Sequence, residues 1–286
     1  MAFVIRAAKL VTISVAAAAL VSAGAAAAQE PVLPHQTFTI QSAAVGEARR
    51  INVWTPPGYA ANRTRYPVLY MPDGGVEEDF PHVVATVDSA VRAGQMRPVI
   101  VVGIENTQRR RDMTGPTRVA RDSTIAPRVG GSAAFRRFIA SELMPEVRRR
   151  YRVTDETAII GESLAGLFVM ETFFEQPELF DTYIALSPSL WWNDQALIRA
   201  AGERLRARPG LRGALYFASA GDDIGPETAR LAEIFRANAP SGLRWAYRPR
   251  PDLTHATIYR GEAPGVLRAA LPPRPAQRGA ARAARP

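Results

Sequence analysis

The chain of 286 residues contains no cysteine. Disulfides, thiolate metal sites and a lipid anchor through an N-terminal cysteine are thereby excluded, and stability must come from the packed core. Histidine is scarce: His35, His82 and His255 are the only three, and no H-x-x-H spacing joins them, so no metal site is expected. No glycine-rich phosphate loop and no internal repeat occur, and nothing in the sequence calls for a cofactor.

Long apolar runs are also missing, apart from one. Arg6 and Lys9 precede an Ala-rich apolar run from Leu10 to about Ala23, followed by small residues at Ala25–Ala28. This pattern reads as a secretory signal peptide, residues 1–28, cleaved after Ala28. The run is short and weakly hydrophobic for a permanent span. The expectation is a periplasmic or secreted protein with no stable membrane insertion after cleavage.

The formal net charge is +9. Two of the basic residues belong to the leader and four (Arg274, Arg278, Arg282, Arg285) to an acid-free tail, which leaves the body near about +3. A nucleic-acid partner is therefore not expected. The tail, residues 272–286, is rich in Pro, Ala and Arg and is expected to be disordered. Apolar residues make up 47% and charged residues 22%, the balance of a soluble globular protein, and residues 29–271 read as one domain.

Within that domain strand-like and helix-like segments alternate. Thr37–Ser42 and Arg50–Thr55 read as two strands turning near Gly46, and Pro67–Met71 and Pro98–Ile104 as buried strands, with a helix around His82–Arg92 between them. A polar loop, Glu105–Gly131, precedes a helix capped by Ser132 and interrupted at Pro145. Strands at Thr157–Gly161, Thr182–Leu186, Gly213–Ser219 and Leu243–Tyr247 alternate with helices at Leu164–Phe174, Ala196–Arg206, Glu227–Asn238 and Gly261–Leu271. This predicts an α/β fold, a mostly parallel central sheet with helices on both faces and an antiparallel edge.

The sharpest local signal is Gly161-Glu162-Ser163-Leu164-Ala165-Gly166, placed where a strand should end and a helix begin. A strand-to-helix elbow exposes a serine hydroxyl and aims a helix N-terminus at a developing oxyanion. Ala165 and then Gly166 stand where G-x-S-x-G has its second glycine. A serine needs a base. In enzymes built on such an elbow the order is Ser, acid, His, and of the three histidines only His255 follows the last strand. The acid is expected after the strand before it, in Gly221-Asp222-Asp223; Asp223 is preferred to Asp222, with Glu227 a third candidate. The backbone N–H groups of Leu164 and of Gly75, with Gly74 close behind, are the expected oxyanion donors. His82 reads as a surface residue, with a place in the pocket lining as the alternative.

Five segments in order then carry a family resemblance: Tyr66–Gly74 (YPVLYMPDG), Val101–Thr114 (VVGIENTQRRRDMT), Gly161–Gly166, Ser187–Trp192 (SPSLWW) and Thr254–Tyr259 (THATIY). From about Arg50 to Leu271 the chain resembles the esterases of the α/β-hydrolase superfamily that are related to esterase D and to periplasmic siderophore esterases. The resemblance implies an α/β-hydrolase fold, Ser163 as nucleophile and His255 as base, and cleavage of a carboxylic ester of a small molecule through an acyl-enzyme. Relatives usually carry His where Glu162 stands and Gly where Ala165 stands. They often place a glutamate near the position of Ile224, which leaves the acid open between Asp223, Asp222, Glu227 and none. Arg109, with Arg111 and Asp112, falls in the family pattern as a border of the pocket or as an ion-paired brace. Trp191 and Trp192 read as an aromatic wall or as core. An acyltransferase or a non-catalytic binding protein on the same scaffold stands as the alternative.

Overall fold

The computed structural model describes residues 31–222 and 225–273. Residues 1–28, expected to be a signal peptide, Asp223 and nearly all of the basic tail lie outside the described residues.

Eight strands form one sheet in the order β1-β2-β4-β3-β5-β6-β7-β8. β1 (Gln36–Ser42) and β2 (Glu47–Trp54) form the antiparallel edge, and β2 runs antiparallel to β4 (Ile100–Ile104). The rest are parallel: β3 (Tyr66–Pro72), β5 (Val153–Glu162), β6 (Thr182–Leu186), β7 (Gly213–Ala220) and β8 (Leu243–Arg250). The mostly parallel sheet expected from the sequence is present.

The middle of the sheet is buried on both faces: β3, β4, β6 and the Thr157–Gly161 stretch of β5 are buried throughout, and their side chains alternate between two cores. Val68 and Tyr70 of β3, Ile159 of β5 and Tyr183 of β6 point into one core; Leu69, Met71, Ile160 and Ile184 point into the other. The second core is closed by α1 (Phe80–Arg92) and by the C-terminal helix over Ile258–Ala270. The first is closed by the helices between them. After a short turn of helix, α2 (Arg109–Asp112), come α3 (Ser132–Phe138), a π-helical segment (Ile139–Leu143) and α4 (Met144–Arg150). Then follow α5 (Leu164–Glu175), α6 (Trp192–Arg206) and α7 (Gly225–Asn238), which makes the C-terminal helix α8.

Two local expectations are corrected and a third is met. Pro145 does not break the helix; with no N–H to give, it sits in the first turn of α4, and the backbone widens to a π-helix just before it. Ser132 is not the cap of α3 but its first residue, buried, with its hydroxyl donating to Glu171 Oε1 at 2.6 Å. The regular part of α6 does start near Ala196 as read, because Asn193, Asp194 and Gln195 are all left-handed (φ 49°, 51° and 58°).

All parallel strands end on the same side. Ligand sites of open α/β sheets lie outside the carboxyl ends of the strands, and here the loops after β3, β4, β5, β6, β7 and β8 gather there.

Candidate active site

Ser163 sits between the last residue of β5 and the first of α5 with φ 60° and ψ −120°. A non-glycine residue in this region costs about 1–3 kcal/mol and must be held by its surroundings. The surroundings do so: the Ser163 N–H donates to Leu186 O at 3.0 Å, and the Ser163 carbonyl accepts from Leu167 N–H at 2.9 Å and Ser189 N–H at 3.0 Å. Strand and helix approach so closely that a Cβ on Gly161 would meet the Ala165 carbonyl oxygen at 2.7 Å. Ala165 itself is fully buried in this contact, so an alanine is accommodated where the usual pattern has glycine.

The His255 Nε2 lies 3.0 Å from Ser163 Oγ. His255 stands on the loop between β8 and α8. That loop is tied down twice: the Gly221 N–H donates to Leu253 O at 3.0 Å, and the His255 N–H donates to Asp222 Oδ1 at 2.9 Å. Asp222 thus holds the histidine through its main chain. Of the other candidates, Glu227 lies in the first turn of α7 and Asp223 falls outside the described residues; Asp252, near His255 in sequence, is paired with Arg250 at 2.7 Å. The other histidines are placed elsewhere. His35 has its ring against Phe80, and His82 is buried in α1 with its ring edge-on to Tyr259 at 4.6 Å. The surface position expected for His82 is corrected: the apolar face of α1 carries it inside.

The two expected oxyanion donors fare differently. Leu164 is the first residue of α5 and lines the cleft over Ser163, and among the described residues nothing accepts its N–H. Gly75 is a correction: its N–H donates to Glu78 Oε2 at 2.7 Å, while the Gly74 N–H donates to Ile104 O at 2.9 Å. The reason is the turn at Asp73 (φ 54°), which lays Gly74 against the end of β4 and lets Glu78 fold back over Gly75. Burial lifts the Glu78 carboxyl above its ordinary value, with the amides of Gly75 and Asn106 opposing that.

The cleft encloses about 300 Å³ and is lined by Arg109, Arg110, Ser163, Leu164, Trp191 and His255 among others. Arg109 reads both ways at once. It borders the cleft, and it is braced by Asp73 through Nε to Oδ1 at 2.6 Å and Nη2 to Oδ2 at 2.8 Å. Burial works against its charge, but the Asp73 pair outweighs it and raises the pKa of Arg109. Arg111 and Asp112 do not line this cleft and serve as a brace beside it: Arg111 bonds Asp112 at 2.6 Å and Glu47 at 2.7 Å, and buried Arg49 pairs with Asp112. An adjoining groove of about 670 Å³ is bordered by Arg110, Arg111 and Arg128. Trp191 forms a wall of the cleft, whereas Trp192 is corrected to core: it is 5% exposed and its Nε1–H donates to Gly115 O at 2.9 Å.

Sequence reasoning missed two participants. Glu162 Oε1 lies 3.2 Å from His255 Nε2. Asp122, almost wholly buried, accepts from the Asn193 N–H at 2.7 Å and from Thr117 Oγ1 at 3.0 Å, fastening the Glu105–Gly131 loop to the turn that carries Trp191. The departure from the family pattern at position 162 was a visible signal for the first; none marked the second.

Residues 42–213 match the family described as "Putative esterase". The chain belongs to this esterase family. Among curated relatives of this chain, the ferri-bacillibactin esterase BesA of Bacillus subtilis (strain 168) is 34% identical over 165 residues, covering 51% of this chain and 54% of the relative. The siderophore enterobactin esterase of Emericella nidulans is 38% identical over 94 residues, or 32% of this chain and 29% of the relative. The alignments span about half or less of these relatives' length. An IroE-like serine hydrolase from Shewanella oneidensis superposes with a TM-score of 0.75 at 26% identity, over 82% of this chain and 79% of that one. The BES protein from Bacillus cereus superposes at 0.73 with 20% identity, over 85% and 98%, which bears on the fold alone. The α/β-hydrolase fold expected from the resemblance is thereby met.

Proposed function

We propose that this protein is a serine hydrolase that cleaves a carboxylic ester of a small molecule through an acyl-enzyme, and that the ester is of the siderophore type. The observation that carries the mechanism is the 3.0 Å contact between Ser163 Oγ and His255 Nε2 at a strained strand-to-helix elbow. His255 takes the Ser163 proton as Oγ attacks the ester carbonyl. The Leu164 N–H at the start of α5 meets the developing oxyanion, and the Arg109 guanidinium supplies positive charge from the cleft wall. The proton on Nε2 then passes to the leaving alkoxide, the alcohol departs, and the acyl group stays on Ser163. Water, deprotonated in turn by His255, releases the acid.

The substrate class is supported by the siderophore esterases among the relatives and by the cationic border formed by Arg109, Arg110 and Arg128, which suits an anionic ester. Export to the periplasm or beyond is supported by the basic, apolar and small-residue pattern of residues 1–28. Among the described residues no helix is long and apolar enough to cross a membrane.

The test is labelling of the purified protein with a fluorophosphonate, read by intact mass and peptide mapping, for wild type, Ser163→Ala and His255→Ala. One label on Ser163 that is absent from both variants is the expected result. A folded wild type that takes no label would remove the mechanism.

A further inference from the structure

We propose that Glu162 is a catalytic residue: its carboxylate stabilises the imidazolium of His255 from the Nε2 side while Ser163 becomes acylated. The proposal rests on the serine-hydrolase reading above and adds a group to it.

Glu162 is the last residue of β5, and the turn at Ser163 brings two consecutive side chains onto one nitrogen. Ser163 Oγ lies 3.0 Å and Glu162 Oε1 3.2 Å from His255 Nε2. The Glu162 side chain is only 15% exposed, so water screens this contact poorly.

The chemistry of the shared atom makes the interaction depend on the stage of the reaction. A neutral imidazole with its proton on Nδ1 presents a lone pair at Nε2. That lone pair accepts the Ser163 hydroxyl and gains nothing from a carboxylate. Once Oγ bonds to the carbonyl carbon, its proton sits on Nε2, and the positive charge so formed on the ring lies 3.2 Å from Glu162 Oε1, which attracts it electrostatically from beside the Ser163 oxygen. The contact therefore strengthens only as the transition state forms, which is the condition for a group to raise rate rather than ground-state binding. The proton goes on to the leaving alkoxide, and Glu162 stays ionised throughout. A carboxylate so close to the oxyanion also needs a counter-charge, and Arg109 feels Glu162 across the cleft. Among the described residues, the charged groups facing His255 are Glu162 from β5, Asp222 from the loop after β7, and Arg109 and Arg110 from the loop after β4.

The experiment uses the fluorophosphonate adduct. There the Oγ–P bond forms as P–F breaks, fluoride leaves, and the Ser163 proton is held by His255 as an imidazolium. Its downfield ring N–H proton is followed by NMR against pH in wild type, Glu162→Gln and Glu162→Asp, alongside the second-order labelling rate and the melting temperature. In Glu162→Gln the imidazolium signal is expected to disappear at a pH lower by about one unit or more. Labelling is expected to slow by about tenfold or more with little change in melting temperature, and Glu162→Asp to recover part of both. An adduct of Glu162→Gln that titrates with wild type, or an unchanged labelling rate, overturns the proposal. If Glu162→Gln does not fold, Glu162→Asp decides: an intermediate shift supports the role, and wild-type behaviour overturns it. A wild type that takes no label fails the serine-hydrolase reading itself, whereas a labelled wild type with an unmoved titration fails only this one.

Discussion

Arg109 and Asp73 meet fork to fork, with bonds of 2.6 and 2.8 Å between the loop after β4 and the end of β3. Asp73 is held in the left-handed region at φ 54°, and Arg109 opens a single turn of helix. Asp73→Asn removes a charge-assisted bond from a buried site and is expected to cost about 2 kcal/mol of stability, read by chemical denaturation. Arg109→Lys keeps the charge but not the fork, and kcat/KM is expected to fall by about tenfold or more. Full activity in Arg109→Lys would mean that charge alone suffices at this position.

Asp222 offers a clean separation of two roles. As the acceptor of the His255 main-chain N–H it should tolerate Asn, whose amide oxygen can accept the same bond, and not Ala. Asp222→Asn is expected to keep kcat within about threefold of wild type, and Asp222→Ala to lose about tenfold. A loss of three orders of magnitude or more in Asp222→Asn, as when the acid of a triad is amidated, would assign Asp222 to the imidazole instead.

Asp122 fastens the loop that faces the cleft to the left-handed turn beside Trp191. Asp122→Ala frees the Asn193 N–H and the Thr117 hydroxyl together. The expected outcome is a KM several-fold higher for a bulky ester, kcat changing less, and a loss of stability of about 2 kcal/mol. Steady-state kinetics on a small and a bulky ester, beside a melting curve, reads both.

Glu47 ties the β1–β2 edge to the same loop. Its bonds to Arg111 hold its carboxyl at about 2, against an ordinary 4.5, with partial burial opposing and Thr107 adding. A depressed folded-state value contributes stability that is complete above the unfolded value and is lost as pH falls through the folded one. The stability gap between wild type and Glu47→Gln should therefore be constant above pH about 5 and close between about 4.5 and 2. Denaturation curves that show a pH-independent gap would contradict this.

What could be read beforehand was whatever a local pattern dictates. β6 was read to its end residues because five consecutive buried positions lie between Asp181 and the Ser187–Pro188 turn. Ser163 and His255 were legible because an elbow motif is local and three histidines can be sorted by position. The rest depended on neighbours distant in sequence. Nothing near Gly75 announces that Glu78 will take its amide, since that follows from the turn at Asp73 closing on β4. Trp191 and Trp192 are adjacent and chemically alike, and only the contact with Gly115 decides which one is buried. Glu162 stands out in the sequence as a departure, but its reach to His255 is set by the φ of the next residue.

The contact between Ser163 and His255 spans 92 residues of chain and crosses β6, β7 and β8 on the way. Closing so long a segment is entropically costly and must wait for the strands between to pair. Catalysis is therefore a late reporter in refolding: α5 and β5 can form early without creating any activity, and turnover should return only with docking of the last strand. The same spacing makes a protein truncated before β8 inert even if its remaining sheet is intact.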